Sequence, residues 1–177
     1  MKNLFKICLF LIFLLNAKIA FADRGANIYE YPRALPQKEI VGETGKKFKL
    51  ENFAGDFVIA VFWSRRCVPC LREMKILNEF SQKTKNDGIR VILVSPEKEW
   101  VGGFEEQKRF LKRFGGEDLE IYVDKNGDLA SAFGIFSSPV SILISRNSQE
   151  IGRIRGSIRW DKSAVVEYFY QLKAEKG

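Results

Sequence analysis

The chain has 177 residues, of which 46% are hydrophobic, and it carries a net charge of +7. This length and composition are typical of one globular domain with its own core. The sequence contains no histidine, which excludes Cys–His and Ser–His–Asp nucleophile systems and leaves only carboxylates to complete a zinc site. Its basic residues form no dense run, so we expect no nucleic-acid partner, and we also expect no metal and no cofactor.

The first 22 residues have the pattern of a secretory signal peptide. A short basic head ends at Lys6, an apolar run follows over Ile7–Leu15, and Ala20–Ala22 has the small-x-small pattern of a cleavage site. The run is shorter than the roughly 20 apolar residues that a membrane span requires. We therefore predict a cleaved signal peptide over residues 1–22 and a periplasmic protein. The alternative is a segment that is retained as a membrane anchor facing the periplasm.

Cleavage of this segment would leave two cysteines. It removes Cys8 and three lysines, so 29 basic residues become 26 against 22 acidic ones and the net charge falls from +7 to +4. Cys67 and Cys70 remain, and the small loop between them constrains an unfolded chain little. An exported protein with a single CxxC pair is not a disulfide-stapled scaffold, so the pair is better explained by redox chemistry than by stability.

The rest of the chain predicts one α/β domain. Residues 23–45 contain Pro32 and Pro36 and have no helical period, so we predict an extended lead-in there and a domain over residues 46–177. The predicted strands are Lys47–Leu50, Phe57–Trp63, Ile89–Ser95, Leu119–Val123, Val140–Ile144 and Ile151–Arg155. The predicted helices are Val68–Lys85, Phe104–Phe114, Leu129–Phe133 and a last helix that includes Ala164–Leu172. A right-handed parallel crossover and a closing hairpin together imply three layers with a mixed central sheet.

The sequence Cys67-Val68-Pro69-Cys70 is the most reactive feature of the chain. It follows a buried strand and begins a helix, whose free N–H groups and partial positive charge favour a thiolate. We predict that Cys67 attacks the disulfide of a partner and that Cys70 resolves the mixed disulfide. The alternative is a permanent structural bridge.

Glu73 lies on the same predicted helix, one turn after Cys70. At about 100° per residue it projects between Leu77 and Phe80, on the apolar side of the helix. Burial of a carboxyl group there would raise its pKa, and the group could take or return the Cys70 proton. The alternative is a glutamate that reaches solvent or pairs with a lysine.

Two arginines precede the CxxC pair. The charge of Arg65 and Arg66 would favour the Cys67 thiolate or attract an acidic partner, and the alternative is that both are solvated loop residues. Pro69 makes the turn rigid. Trp63 is expected to pack beneath the active site and to shape the substrate groove.

The segment Phe62–Met74 resembles the active-site segment of the TlpA/ResA-like thioredoxin-fold thiol-disulfide oxidoreductases. The resemblance covers roughly residues 46–172 and includes motifs at residues 110–114, 122–124, 133–135, 138–139 and 152–154. It implies a thioredoxin-like three-layer fold in which Pro139 follows a cis peptide bond, faces the disulfide and pairs with the substrate backbone. The chain departs from the family pattern at Arg66, where a tryptophan is usual, and at Ser138 and its neighbours.

These observations predict an exported thiol-disulfide oxidoreductase that acts as a protein-disulfide reductase and as a monomer. The expected catalytic residues are Cys67, Cys70 and Glu73. The expected substrate-binding residues are Trp63, Arg66, Pro69, Ser138 and Pro139. The resemblance implies that a membrane thiol-transfer protein donates electrons and that an exported disulfide-containing protein, such as apocytochrome c during cytochrome c maturation, receives them. The alternatives are a disulfide oxidant or isomerase, and a thioredoxin-like module that only binds a partner.

Overall fold

The computed structural model describes residues 25–177. The predicted signal peptide over residues 1–22 and its cysteine therefore lie outside the described residues. Within residues 25–177, every helix falls short of the length and apolar content that a membrane span requires.

Eight strands and four helices make up the described domain. The strands are β1 (Ala26–Ala34), β2 (Glu39–Gly42), β3 (Lys47–Lys49), β4 (Phe57–Phe62), β5 (Ile89–Pro96), β6 (Glu120–Asp124), β7 (Val140–Ile144) and β8 (Gln149–Arg155). The helices are α1 (Val68–Thr84), α2 (Gly103–Lys112), α3 (Asp128–Ala132) and α4 (Ser163–Lys176). Short 3₁₀ turns occupy Leu50–Phe53, Lys85–Asp87, Glu97–Glu99 and Lys125–Gly127. Each element predicted after residue 46 is present.

The strands form one mixed sheet in the order β1-β8-β7-β4-β5-β6-β2-β3. The strands β4, β5 and β6 are parallel because a helix crosses over between each consecutive pair. All other neighbouring strands are antiparallel. The predicted α/β domain with a mixed central sheet is confirmed.

The central strand β4 is covered on both faces. All six of its residues are buried, and successive side chains point to opposite faces of the sheet. The odd-numbered residues from Phe57 to Val61 pack in one hydrophobic cluster with α1, α2 and α4. The even-numbered residues from Val58 to Phe62 pack in a second cluster with α3. A strand that is buried on both faces has a continuous apolar sequence, and this run is what predicted β4 from the sequence.

The structure differs from the sequence interpretation over residues 23–45. Instead of a lead-in outside the domain, this span contributes β1, which pairs with β8, and β2, which pairs with β3 and β6. No local sequence pattern predicts the pairing of β1 with β8, because it joins residues that are far apart in the chain, such as Ala26 and Ile154. Pro32 is accommodated because β1 is an edge strand whose register with β8 shifts between Ile28 and Arg33. The folded domain therefore begins before residue 46.

Candidate active site

The CxxC pair lies at the edge of the sheet where the parallel strands end. A short loop leads from Phe62, the last residue of β4, to Cys67, the N-cap residue of α1. Pro69 fits the first turn of the helix, where its missing N–H costs no hydrogen bond. The Cys67 amide donates to the Ser64 carbonyl at 3.0 Å, and the Cys70 amide donates to Cys67 Sγ at 3.2 Å. The Cys67 sulfur thus occupies the capping position at the positive end of the helix.

The two cysteines form a disulfide with an S–S distance of 2.07 Å. They differ in accessibility, because Cys70 is 1% exposed whereas Cys67 is only half-buried. A sulfur of another protein can therefore reach Cys67 but not Cys70. This difference in exposure is consistent with Cys67 as the attacking cysteine and Cys70 as the resolving one. The two chemical roles themselves stay predictions.

The loop that precedes β7 faces the disulfide. The Ser138–Pro139 peptide bond is cis, which confirms the expectation drawn from the resemblance. The Ser138 carbonyl oxygen lies 3.4 Å from Cys67 Sγ. The Pro139 carbonyl accepts a hydrogen bond from the Gly156 amide at 2.9 Å, which fixes the end of the loop. The loop therefore presents backbone groups beside the accessible sulfur.

A groove of about 310 Å³ runs between this loop and the ends of β4 and β5. Trp63 and Ser138 line it, and the Trp63 ring, which is 2% exposed, packs 5.6 Å from the ring of Trp100 beneath it. Arg66 and Pro69 are exposed beside Cys67 and lie outside the groove. The structure therefore places Arg66, Pro69 and the Ser138–Pro139 loop next to Cys67, and Trp63 lines the groove as a buried residue. That these residues bind substrate stays a prediction.

Glu73 is buried, as predicted, with an exposure of 5%. Its Oε2 accepts hydrogen bonds from the Ile158 amide at 2.8 Å and from Trp160 Nε1 at 3.2 Å. Burial raises the pKa of Glu73 to about 7, although the two donors favour the charged form and act in the opposite direction. The alternative of a solvent-exposed or lysine-paired glutamate is wrong, since none of the ion pairs within residues 25–177 involves Glu73.

Trp160 is a site residue that the sequence analysis did not single out. Its ring stacks on Phe169 of α4 with the centroids 5.4 Å apart, and it also contacts Phe80 of α1. The same indole therefore packs the two helices together and donates to the Glu73 carboxylate. A tryptophan after a strand has many uses in a core, so only the fold reveals this contact between residues 87 positions apart.

Arg65 is held within the protein and is not a free charge. Its Nη1 donates to the Glu99 carbonyl at 2.8 Å and to the Glu106 carboxylate at 2.7 Å. The Glu99 carboxylate accepts hydrogen bonds from Ser64 Oγ at 2.6 Å and from the Arg65 amide at 2.9 Å. The 3₁₀ turn before α2 therefore holds the loop that leads to Cys67. Arg66, by contrast, is exposed and remains available to an acidic partner.

A strand-helix-strand unit that presents a CxxC pair at the start of its helix is typical of thioredoxin-like thiol-disulfide oxidoreductases, and this chain is a protein of that class. Among residues 25–177, no group of three or more His, Cys, Asp or Glu side chains is placed to hold a metal ion. Residues 33–169 match the model of the Redoxin family. The chain belongs to the Redoxin family.

Curated relatives and solved structures agree with this assignment. The thiol-disulfide oxidoreductases ResA of Bacillus thuringiensis subsp. konkukian and of Bacillus cereus are each 30% identical over 145 residues, which are 81% of this chain and 79% of theirs. A Chlorobium tepidum protein assigned as thiol:disulfide interchange protein DsbE has a TM-score of 0.66 at 24% identity and covers 80% of this chain and 96% of its own. The exposed lipoprotein thioredoxin Etrx1 of Streptococcus pneumoniae has a TM-score of 0.61 at 23% identity, with coverage of 76% and 98%.

Proposed function

We propose that this oxidoreductase is exported and reduces disulfides of periplasmic proteins, with Cys67 as the attacking thiolate and Cys70 as the resolving thiol. The observation that carries the proposal is the geometry of Cys67, which caps α1 and is the accessible sulfur of the pair. A helix N-terminus lowers the pKa of a thiol placed there, because its free N–H groups stabilise the thiolate. Reduction of the disulfide would therefore give a sulfur suited to nucleophilic attack near neutral pH.

The proposed reaction proceeds through a mixed disulfide. The Cys67 thiolate attacks one sulfur of the substrate disulfide, a Cys67–substrate bond forms, and the other substrate sulfur leaves and takes up a proton. Cys70 then loses its proton and attacks Cys67, which releases the second substrate sulfur as a thiol after protonation. Two electrons pass from the dithiol to the substrate, and the protein returns to the disulfide form that the structure shows.

Glu73 is proposed to receive the proton that Cys70 loses. It lies one turn after Cys70 on α1, and its pKa of about 7 leaves it partly ionised near neutral pH. A group of that pKa can accept a proton in one step and return it in another. The hydrogen bonds from Ile158 and Trp160 hold one carboxylate oxygen in place, which leaves the other oxygen for this exchange.

The loop around Pro139 is proposed to bind the substrate backbone. Ser138 presents its carbonyl oxygen 3.4 Å from Cys67 Sγ, so an extended peptide can pair with this loop while its sulfur contacts Cys67. Trp63 lines the adjoining groove, and Arg66 and Pro69 are exposed beside the disulfide. The exposed charge of Arg66 favours partners with acidic residues near their cysteines.

The partners and the compartment follow from the same proposal. The predicted signal peptide supports export to the periplasm, and a structural neighbour from Mycobacterium tuberculosis is described as a secreted disulfide oxidoreductase. We propose that a membrane thiol-transfer protein reduces the Cys67–Cys70 disulfide of a monomer again after each turnover. Apocytochrome c is the leading candidate for the protein that receives the electrons.

The Cys70→Ser variant tests this function. Without a resolving thiol, Cys67 should remain joined to its substrate by a mixed disulfide. We therefore expect covalent complexes that separate into their two proteins when dithiothreitol reduces this bond. Mass spectrometry of the complexes from a periplasmic extract identifies the substrate. The matched control is the Cys67→Ser, Cys70→Ser double variant, which should trap nothing. Equal amounts of complex in both variants would contradict the proposal.

The direction of electron transfer is tested by the reduction potential. The Arg65 guanidinium is paired with the Glu106 carboxylate, and the buried carboxyl group of Glu73 disfavours further negative charge. Both effects oppose the stabilisation of the Cys67 thiolate by the helix N-terminus, so we expect a potential nearer to about −270 mV, as in thioredoxin, than to about −120 mV, as in DsbA. Equilibration with dithiothreitol redox buffers, followed by alkylation, measures it. A value near that of DsbA would support the oxidant alternative.

A further inference from the structure

A bulge in β8 brings two charged side chains to the same face of the sheet. The register with β7 passes over Ile151, which is therefore an extra residue in β8. Residues three apart in a regular strand point to opposite faces. The extra residue changes this alternation, so that Glu150 and Arg153 both lie on the face covered by α3.

Glu150 and Arg153 form a buried ion pair. Their side chains are 3% and 14% exposed, and Arg153 donates from Nε to one carboxylate oxygen and from Nη2 to the other, the latter at 3.1 Å. The Tyr29 hydroxyl donates to the same carboxylate at 2.9 Å. A buried pair of this kind gives little net stability, because desolvation offsets the attraction between the charges. Its bidentate geometry does, however, fix the orientation of the guanidinium group.

The third contact of Arg153 is with the end of α3. Its Nη1 donates to the Phe133 carbonyl oxygen, and the guanidinium group lies 5.5 Å from the centre of the Phe133 ring. Phe133 is the C-cap residue of α3, where carbonyl groups lack partners within the helix and a cation is favourable. Arg153 therefore fixes the point at which the chain leaves α3.

The chain between α3 and β7 is the loop that faces the disulfide. It runs over residues 134–138 and ends at Pro139, whose carbonyl accepts from the Gly156 amide. One end of the loop is thus held by Arg153 of β8, and the other by the residue that directly follows β8. Ser138, which lies 3.4 Å from Cys67 Sγ, sits between these two attachments.

We propose that Arg153, oriented by Glu150, is a positioning residue that holds loop 134–138 at the distance from Cys67 at which a polypeptide substrate can pair with the loop. The inference rests on the proposed function of this loop as the binding site for substrate backbone. A small disulfide needs only the sulfur of Cys67, whereas a peptide disulfide also needs the loop. Arg153 therefore sets the KM for polypeptide disulfides and leaves the reaction with small disulfides unchanged.

The test uses the Glu150→Gln, Arg153→Met double variant, which removes both charges and so leaves no unpaired buried ion. The glutamine oxygen still accepts the Tyr29 hydroxyl. The substrates are glutathione disulfide and a synthetic peptide with an internal disulfide, dithiothreitol supplies the electrons for each turnover, and its direct reaction with each substrate is subtracted. We expect the KM for the peptide to rise about tenfold, since small displacements of positioning groups have effects of this size or larger, with kcat and the glutathione disulfide rate unchanged. The control is Arg146→Met, in the turn at the far end of the β7–β8 hairpin.

Two outcomes would overturn the inference. One is a KM for the peptide that stays at the wild-type value while urea unfolding shows the variant to be folded. The other is an equal loss of activity with glutathione disulfide and with the peptide, which would indicate general damage to the domain. A wild-type protein that reduces neither substrate would instead contradict the proposed function itself, so the two failures are distinguishable. The Arg153→Lys variant, which keeps the charge but loses the bidentate contact, should show an intermediate KM.

Discussion

Replacement of Cys67 by alanine should reduce disulfide exchange to the background rate without protein. Cys67 carries the only accessible sulfur of the pair, because Cys70 is 1% exposed and cannot meet a substrate sulfur. The fold should be unaffected, since a disulfide that closes a loop this small constrains the unfolded chain little. Reduction of a disulfide peptide measures the activity, and urea unfolding of the same preparation measures the stability.

The Cys70→Ala variant is the matched control for this prediction. It removes the same disulfide but keeps the Cys67 thiol, so it should still undergo the first attack and stop at the mixed disulfide.

The alternative of a module that only binds a partner gives a different result. In that case a variant lacking both cysteines would restore the wild-type phenotype to a strain that lacks the gene, and catalysis would not be its role.

The second large effect should come from replacing Glu73 by glutamine. Burial raises the pKa of Glu73 from 4.5 to about 7, so the folded protein holds a proton that the unfolded chain releases between these values. The stability that the protonated group provides is complete below pH 4.5 and is lost as the pH rises through 7. A glutamine keeps the acceptor for Ile158 and Trp160 without ever ionising. The variant should therefore be more stable than the wild type by about 3 kcal/mol at pH 8 and equal to it at pH 4.

Urea unfolding at several pH values measures this difference. The control is Glu79→Gln, an exposed glutamate on the same helix, which should show no comparable pH dependence. A Glu73→Gln variant that is less stable than the wild type at pH 8 would show that the charged form is the favoured one in the folded protein.

The same substitution should separate stability from activity. Exchange by the Glu73→Gln variant should slow by about 10²-fold, the usual contribution of one proton-transfer group, and its rate should lose the pH dependence centred near 7. The gain in stability at pH 8 excludes unfolding as the reason for the loss. An unchanged pH profile would remove Glu73 from the mechanism while leaving the Cys67 chemistry intact.

The sequence predicted those parts of the site that depend on neighbours along the chain. The apolar run of β4, the CxxC pair at the start of α1 and the burial of Glu73 all follow from periodicity within one or two elements. The resemblance to a known family added the cis peptide bond before Pro139. Local order in the sequence was thus enough to find the reacting sulfurs and the buried carboxyl group beside them.

The parts that were not predicted all depend on contacts between distant residues. The pairing of β1 with β8 joins residues more than 100 positions apart. The hydrogen bond from Trp160 to Glu73 and the attachment of the Ser64 loop by Glu99 depend on how helices and turns pack. The ion pair of Glu150 and Arg153 requires a bulge, which changes the alternation on which a strand prediction is based.

The two outermost strands of the sheet are poorly suited to recruit a further strand. β3 is only three residues long and includes Lys47 and Lys49, and β1 contains Pro32 and an irregular register. Short length, lysines, proline and irregularity are the features by which proteins prevent strands of other molecules from adding to a free edge. The proposed function would bring this oxidoreductase into contact with exported chains that have not finished folding, whose extended segments can add to a free strand edge. Because its edge strands β1 and β3 are poor templates for further strands, the domain would release such unfolded substrates without aggregating with them.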